Sequence, residues 1–142
     1  VDDLQGEARH GIDVTFQFAP EVHIAAGPGP WIRAETGRGN TLWLLPMAST
    51  AVDTVISCGE LDPPRGWVSA AYGQREPAPA VRFTADAVLP WRGMTLLVPV
   101  AGASEAPPPV IEVRDAKGRP CGVRCEAPGR SVRIKGDTVV VS

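Results

Sequence analysis

The sequence is poor in the residues that catalytic and metal sites most often require. It contains 2 His, 1 Tyr and 3 Cys among 142 residues. The cysteines form no Cys-x-x-Cys pair with a matching second pair, so a zinc site is not expected. Neither His10 nor His23 has another ligand at metal-binding spacing or a recognisable Ser/His/Asp arrangement. We therefore predict no metal, no cofactor and no self-sufficient catalytic site.

Charge and hydropathy argue against two further classes of partner. Acidic and basic residues nearly balance, 16 against 14, and the formal net charge is −2. Because no basic tract is present to follow a phosphate backbone, nucleic acid is not an expected partner. No apolar run reaches the roughly 18 residues of a membrane-spanning helix, so no membrane contact is expected either. Val1 is not an initiator methionine, which suggests a processed or excised piece of a longer protein.

Glycine and proline are abundant, 15 of each, and they divide the sequence into short runs. The runs between them are short and rich in Val, Ile, Thr and Leu, a pattern typical of antiparallel β-proteins. In residues 12–18 the even positions are apolar, whereas Asp13, Thr15 and Gln17 are polar, so this strand should bury one face. Further strands are predicted at residues 31–35, 41–45, 51–58, 80–83 and 94–100.

The last third of the chain predicts a meander. Its strands are expected at residues 110–114, 123–126, 132–135 and 138–141, separated by turns at 115–118, 128–129 and 136–137. The small, Gly- and Pro-rich residues 101–109 are expected to cross between sheets rather than to divide two domains. The prediction is an all-β fold: one domain over residues 1–142, an antiparallel β-sandwich of about nine or ten short strands with a C-terminal meander.

The tryptophans divide into two pairs. Trp31 and Trp43 fall in predicted strands and are expected in the core. Trp67 and Trp91 fall in predicted loops, each close to an arginine, and are the better surface candidates, although burial is favoured for them too.

Residues 59–79 are too rich in proline and glycine for a strand core and predict an ordered loop. This loop holds the four predicted binding residues. Trp67 and Tyr72 offer ring faces to a sugar, while Arg65 and Arg75 can donate bidentate hydrogen bonds to a uronic-acid carboxylate. A role for Tyr72 as a catalytic base would need its pKa lowered from about 10. We expect instead that Tyr72 mainly buries its ring and anchors the loop, with Arg75 as the exposed contact.

Residues 66–69 (GWVS), followed by 72–79 (YGQREPAP), are the first of three stretches that resemble the C-terminal β region of heparinase II/III-like polysaccharide lyases, where they match a loop. Residues 1–10 (VDDLQGEARH) resemble the family pattern D-x-L-x-G-x-G-x-H, and residues 16–20 (FQFAP) resemble its F-H-F-A-P strand end. The resemblance covers residues 1–99 loosely, and the remainder matches as generic β-structure.

The resemblance implies a bacterial, periplasmic or secreted lyase with an N-terminal α/α toroid followed by a large β-sandwich region. In such enzymes the residues for β-elimination come mainly from the toroid and the first β segment, which also holds the metal-ligand histidine where one is present. Gln17 stands where the family often shows histidine, so no catalytic residue is carried over to this chain.

The implied function is a structural, glycan-contacting domain whose parent enzyme cleaves an acidic polysaccharide by elimination. Its expected partners are that polysaccharide, the toroid and the first β segment of the parent chain. The isolated chain is predicted to be inactive. The alternative is a stand-alone carbohydrate- or protein-binding β module without catalysis.

Overall fold

The computed structural model describes the backbone of residues 1–127, 130–135 and 138–141, and the side chains of residues 1–125. Within those ranges every regular element is a β-strand, so the predicted all-β class is confirmed. No helix in the described ranges is long and apolar enough to cross a membrane. The turns predicted at residues 128–129 and 136–137 lie outside the described residues.

Sixteen strands are present in the described part of the chain. The first twelve are β1 (Asp2–Leu4), β2 (Arg9–Gln17), β3 (His23–Ala26), β4 (Ile32–Glu35), β5 (Thr41–Ala48), β6 (Asp53–Ser57), β7 (Glu60–Leu61), β8 (Pro64–Arg65), β9 (Trp67–Val68), β10 (Glu76–Pro77), β11 (Ala80–Val88) and β12 (Trp91–Val100). The last four are β13 (Val110–Arg114), β14 (Pro120–Ala127), β15 (Arg130–Lys135) and β16 (Thr138–Val141). The number exceeds the prediction mainly because residues 59–79 contribute four two-residue strands, β7 to β10.

The sheets stack around β5, which lies in the middle of the five-stranded sheet β1-β12-β5-β4-β3. On one face, Leu44 packs with Val81 of the three-stranded sheet β2-β11-β6. On the other face, Leu45 packs with Val123 of the four-stranded meander β13-β14-β15-β16. Because successive side chains of a strand point to opposite faces, β5 is covered on both sides. This explains its nearly unbroken apolar sequence, TLWLLPMA.

The three-stranded sheet has one buried and one solvated face, as the alternation in residues 12–18 predicts. Ile12 is buried, whereas Asp13, Thr15 and Gln17 are exposed. Phe83 of the central strand β11 points inward, 4% exposed. The polar residues of β2 therefore face away from the core, and the outer face of this sheet is open to a ligand.

Trp43 and Trp91 are both in the core. Trp43 is 1% exposed and packs edge to face with Trp31, which confirms its predicted burial. The loop placement of Trp91 is wrong: it begins β12, is 4% exposed and donates a hydrogen bond from Nε1 to Thr50 Oγ1 at 3.1 Å. Its indole lies over Gly93, where a Cβ would approach Trp91 Cη2 to 2.1 Å. The missing side chain at Gly93 makes the room that the indole occupies.

The predicted meander is confirmed by the pairing of β13 with β14, β14 with β15 and β15 with β16. In the turn between β13 and β14, Gly118 has φ of 74°, and the Arg119 backbone N–H donates to Asp115 Oδ1 at 2.9 Å. That hydrogen bond is the main reason that the pKa of the Asp115 carboxyl lies below its usual value. Arg114 Nη1 donates to the Ala48 carbonyl at 3.1 Å and so ties the meander to β5.

Candidate functional site

A groove of about 440 Å³ lies between the outer face of the three-stranded sheet and the 59–79 segment. The sheet supplies its floor, which includes Asp13 and Arg82, and the segment supplies its wall. Three of the four predicted binding residues come together in that wall: Arg65, Trp67 and Arg75.

The floor is a consequence of strand register. Arg82 pairs with Thr15, and Ala80 pairs with Gln17 on one side and with Ser57 on the other. Side chains directly opposite each other on paired strands share a face, so the polar residues of β2 lie beside Arg82. Arg82 was not among the predicted binding residues. The sequence does contain a signal for its outward orientation. Arg82 lies between Val81 and Phe83, which point inward, so its own side chain points to the outer face.

The wall is held at its base by one peptide group, that of Gly66. Its carbonyl oxygen accepts hydrogen bonds from the N–H groups of Gly59 and Ala78, each at 2.8 Å. Gly66 has φ of +68°, and a Cβ there would approach the Cys58 Cα atom to 2.6 Å. Only glycine fits this backbone conformation and this close approach. The preceding and following residues, which both line the groove, are thereby fixed in place.

Trp67 orients Arg75. The indole Nε1 donates to the Glu60 carbonyl at 2.7 Å, and the Arg75 guanidinium carbon lies 4.4 Å from the centroid of the indole ring. This is cation–π geometry. The donors of a guanidinium lie in its plane, so stacking on a ring leaves them available to a planar anionic group. One face of the Trp67 ring is therefore covered by Arg75.

The predicted role of Tyr72 as the packing anchor of the loop is wrong. Its relative exposure is 106%, so the ring contacts solvent and not a core. The loop tip closes on itself through a hydrogen bond from Ser69 Oγ to the Ala71 carbonyl and another from the Gln74 N–H to the same carbonyl. Gly66 and Trp67 anchor the segment instead, and Tyr72 lies at its tip, outside the groove lining.

Among the residues whose side chains the structure describes, three arginines and one carboxylate line the groove. The carboxylate, Asp13, lies near Arg82, with Oδ2 at 3.4 Å from Nη1. Among the residues whose side chains are described, no carboxylate forms an ion pair with Arg65 or Arg75. The groove therefore offers positive charge to an incoming anion.

The histidines do not take part. His10 and His23 are exposed on β2 and β3, and no cluster of three or more His, Cys, Asp or Glu that could hold a metal ion occurs among the described residues. Gln17, which stands where the resemblance calls for histidine, donates from Nε2 to the Ala78 carbonyl at 3.3 Å and to the Pro79 carbonyl at 3.0 Å. It fastens the end of the wall to the sheet.

Two solved structures share this fold: heparan sulfate lyase HepC from Pedobacter heparinus and a mutant of the same lyase. The TM-score is 0.62 for both, at 12% and 13% sequence identity respectively, over 97% of this chain. The chain spans only 20% of the length of each lyase. No protein-family model and no curated protein sequence matches the chain. At the level of fold, the predicted resemblance to a heparinase-type β region is confirmed.

Proposed function

We propose that this chain is the glycan-contacting β domain of a heparinase II/III-like polysaccharide lyase, and that its groove binds the acidic polysaccharide. The observation that carries the proposal is a pair of groove arginines, Arg65 and Arg75, that form no ion pair with a described residue. The likeness in fold to an enzyme named for heparan sulfate supports an anionic glycan as the ligand class.

Arginine suits such a ligand because its planar fork matches a carboxylate or a sulfate with two parallel hydrogen bonds. Arg75 is already held against Trp67, 4.4 Å from the ring centroid, so less rotamer entropy is lost when it binds. Arg75 is exposed and Arg65 is partly buried, so their attraction for an anion is screened by solvent and the affinity should fall as salt concentration rises.

Tyr72 extends this contact beyond the groove. Its fully exposed ring at the tip of the same segment offers an apolar face to a sugar further along the polymer. The parent enzyme, in a periplasmic or secreted setting, supplies the groups for eliminative cleavage from its toroid and first β segment. The isolated chain should therefore bind an acidic polymer without producing the ultraviolet absorbance of an unsaturated uronate.

Affinity measurements with heparan sulfate test this proposal. Arg65→Gln and Arg75→Gln should each weaken binding roughly tenfold, the scale of a lost hydrogen bond to a charged group. Arg9→Gln is the control, because Arg9 is an exposed arginine that pairs with Asp86 and lies outside the groove lining. Equal weakening by all three substitutions, or no binding by the wild type, would contradict the proposal.

The alternative of a stand-alone binding module keeps the groove but has no parent lyase. The coding sequence upstream of Val1 separates the two. A helical toroid with its own tyrosine and histidine supports the lyase proposal, whereas an unrelated domain or none favours the module.

A further inference from the structure

The floor of the groove contains an ion pair that the proposed glycan contacts do not use. Arg82 Nη1 lies 3.4 Å from Asp13 Oδ2, and the two side chains are 22% and 56% exposed. They come from the adjacent strands β11 and β2, and both line the groove. The distance exceeds the roughly 2.7–2.9 Å of a well-formed charge-assisted hydrogen bond, so the pair is weak.

Several N–H donors of Arg82 have no side-chain acceptor among the described residues. Within the described part of the chain, Asp13 is its one side-chain acceptor, and its Nε atom is buried without a partner. A donor left without an acceptor in a partly buried site is unfavourable. A bidentate contact from the terminal nitrogens of Arg82 to a carboxylate or sulfate would replace one long hydrogen bond with two shorter ones.

We propose that Asp13 is an internal competitor for Arg82, which an anionic group of the glycan displaces when the groove is filled. This inference rests on the proposed binding of an acidic glycan in the groove. Arg82 then becomes the third anion contact of the site, after Arg65 and Arg75. Asp13 lowers the affinity for acidic polymers, because it must give up its arginine before the glycan can bind Arg82.

Asp53 provides a matched control for the repulsion alone. Thr84 of β11 pairs with Asp13 on one side and with Asp53 on the other. The two carboxylates therefore lie on the same outer face, in the same row of the sheet. Asp53 does not line the groove, and no ion pair to it is formed by any described residue.

The test is the affinity of the whole chain for heparan sulfate oligosaccharides, measured by calorimetric titration. Asp13→Asn should raise the affinity by about twofold to fivefold, the range that corresponds to an exposed ion pair. Asp53→Asn should leave the affinity nearly unchanged. In an Arg82→Gln background, which should bind more weakly than the wild type, Asp13→Asn should give no gain.

Arg82→Lys provides a second background in case the glutamine variant folds poorly. Like Arg82→Gln it changes the partner of Asp13, but it keeps a cation that Asp13 can still hold, so the gain from Asp13→Asn should reappear in this background, reduced because the planar fork is gone. A full gain in the Arg82→Gln background, no gain in a folded Arg82→Lys background, or an equal gain from Asp53→Asn would overturn the inference. Wild-type binding that depends on Arg65 and Arg75 but does not change with Asp13→Asn would overturn this inference alone. No binding by any variant would overturn the proposed function.

Discussion

The central strand β5 and the 59–79 segment are held in place by different forces. Leu44 of β5 is 0% exposed and packs against the three-stranded sheet, and its neighbour Leu45 packs against the meander. In the segment, Leu61 is 70% exposed and Tyr72 is wholly in solvent. The segment keeps its shape through hydrogen bonds to the Gly66 carbonyl and from the Trp67 indole.

This difference separates stability from recognition. Burial of apolar side chains stabilises β5 and the sheets on either side of it, and a strand of this kind tolerates few substitutions. The groove wall depends on backbone geometry at a few positions, so its exposed side chains can serve a ligand. Substitutions in β5 should therefore mainly affect unfolding, whereas substitutions of the exposed side chains in the segment should mainly affect binding.

A pair of leucine truncations should show the largest difference. Leu44→Ala should lower the free energy of unfolding by about 2–5 kcal/mol, because it leaves a cavity between packed sheets. Leu61→Ala removes the same atoms from an exposed position and should change it by less than about 0.5 kcal/mol. Urea denaturation of both variants measures the contrast. Similar losses from the two would mean that the segment has a core of its own.

A pair of glycine substitutions comes next. Gly66→Ala should cost more than about 2 kcal/mol, because its positive φ and the contact with Cys58 are both incompatible with a Cβ. Gly73 also has a positive φ, +72°, but a Cβ there meets nothing within 4 Å. Gly73→Ala should therefore cost only about 1 kcal/mol.

Glycan affinity and thermal melting separate these two variants. Gly66→Ala should weaken binding as well as stability, since it displaces the residues on either side of Gly66. If Gly73→Ala were the more harmful of the two, the base of the wall would not be fixed at Gly66.

Trp67→Phe should have a smaller effect. The ring remains, so the contact with Arg75 is weakened but kept, while the hydrogen bond from the indole Nε1 to the Glu60 carbonyl is lost. A lost bond of this kind costs about 1 kcal/mol in unfolding free energy. Thermal melting gives the stability and heparan sulfate titration gives the affinity. A loss near that of Leu44→Ala would show Trp67 to be a core residue.

Tyr72→Ala should have the smallest effect on stability. The free energy of unfolding should change by less than about 0.5 kcal/mol, because the ring has no core contact to lose. Its effect should appear in glycan affinity instead, which Tyr72→Phe should largely preserve. A melting temperature of the Tyr72→Ala variant several degrees below that of the wild type would show that Tyr72 does pack against the protein.

Much of the fold is predictable because alternation and turn residues are local signals. A few consecutive residues indicate the strand with Asp13, Thr15 and Gln17 on one side, and the turn that ends at Gly118 is equally local. The covering of β5 on both faces was not predicted, although its continuous apolar run is the signal. The prediction for Trp91 is wrong because the nearby proline and glycine suggest a loop. In the structure Gly93 lies within a strand, and its lack of a side chain leaves room for the Trp91 indole.

The site is predictable only where its residues are close in the sequence. Arg65, Trp67 and Arg75 lie in one short segment, so the sequence alone groups them. The pair of Asp13 and Arg82 is 69 residues apart and depends on the register of β2 against β11. The prediction for Tyr72 is wrong because composition does not tell whether a loop folds its aromatic ring back onto the sheet.

The paired strands β9 and β10 at the base of the loop tip have a consequence for variation in the length of that tip. Residues 69–75 leave and rejoin the protein through a paired base, where Val68 lies opposite Glu76 and Trp67 opposite Pro77. Inserted residues at that tip would leave the base intact and would mainly increase loop-closure entropy, which rises by about 0.6 kcal/mol for each doubling of the loop. The reach of the tip along a polymer can therefore be lengthened or shortened by insertion and deletion while the sheets keep their packing.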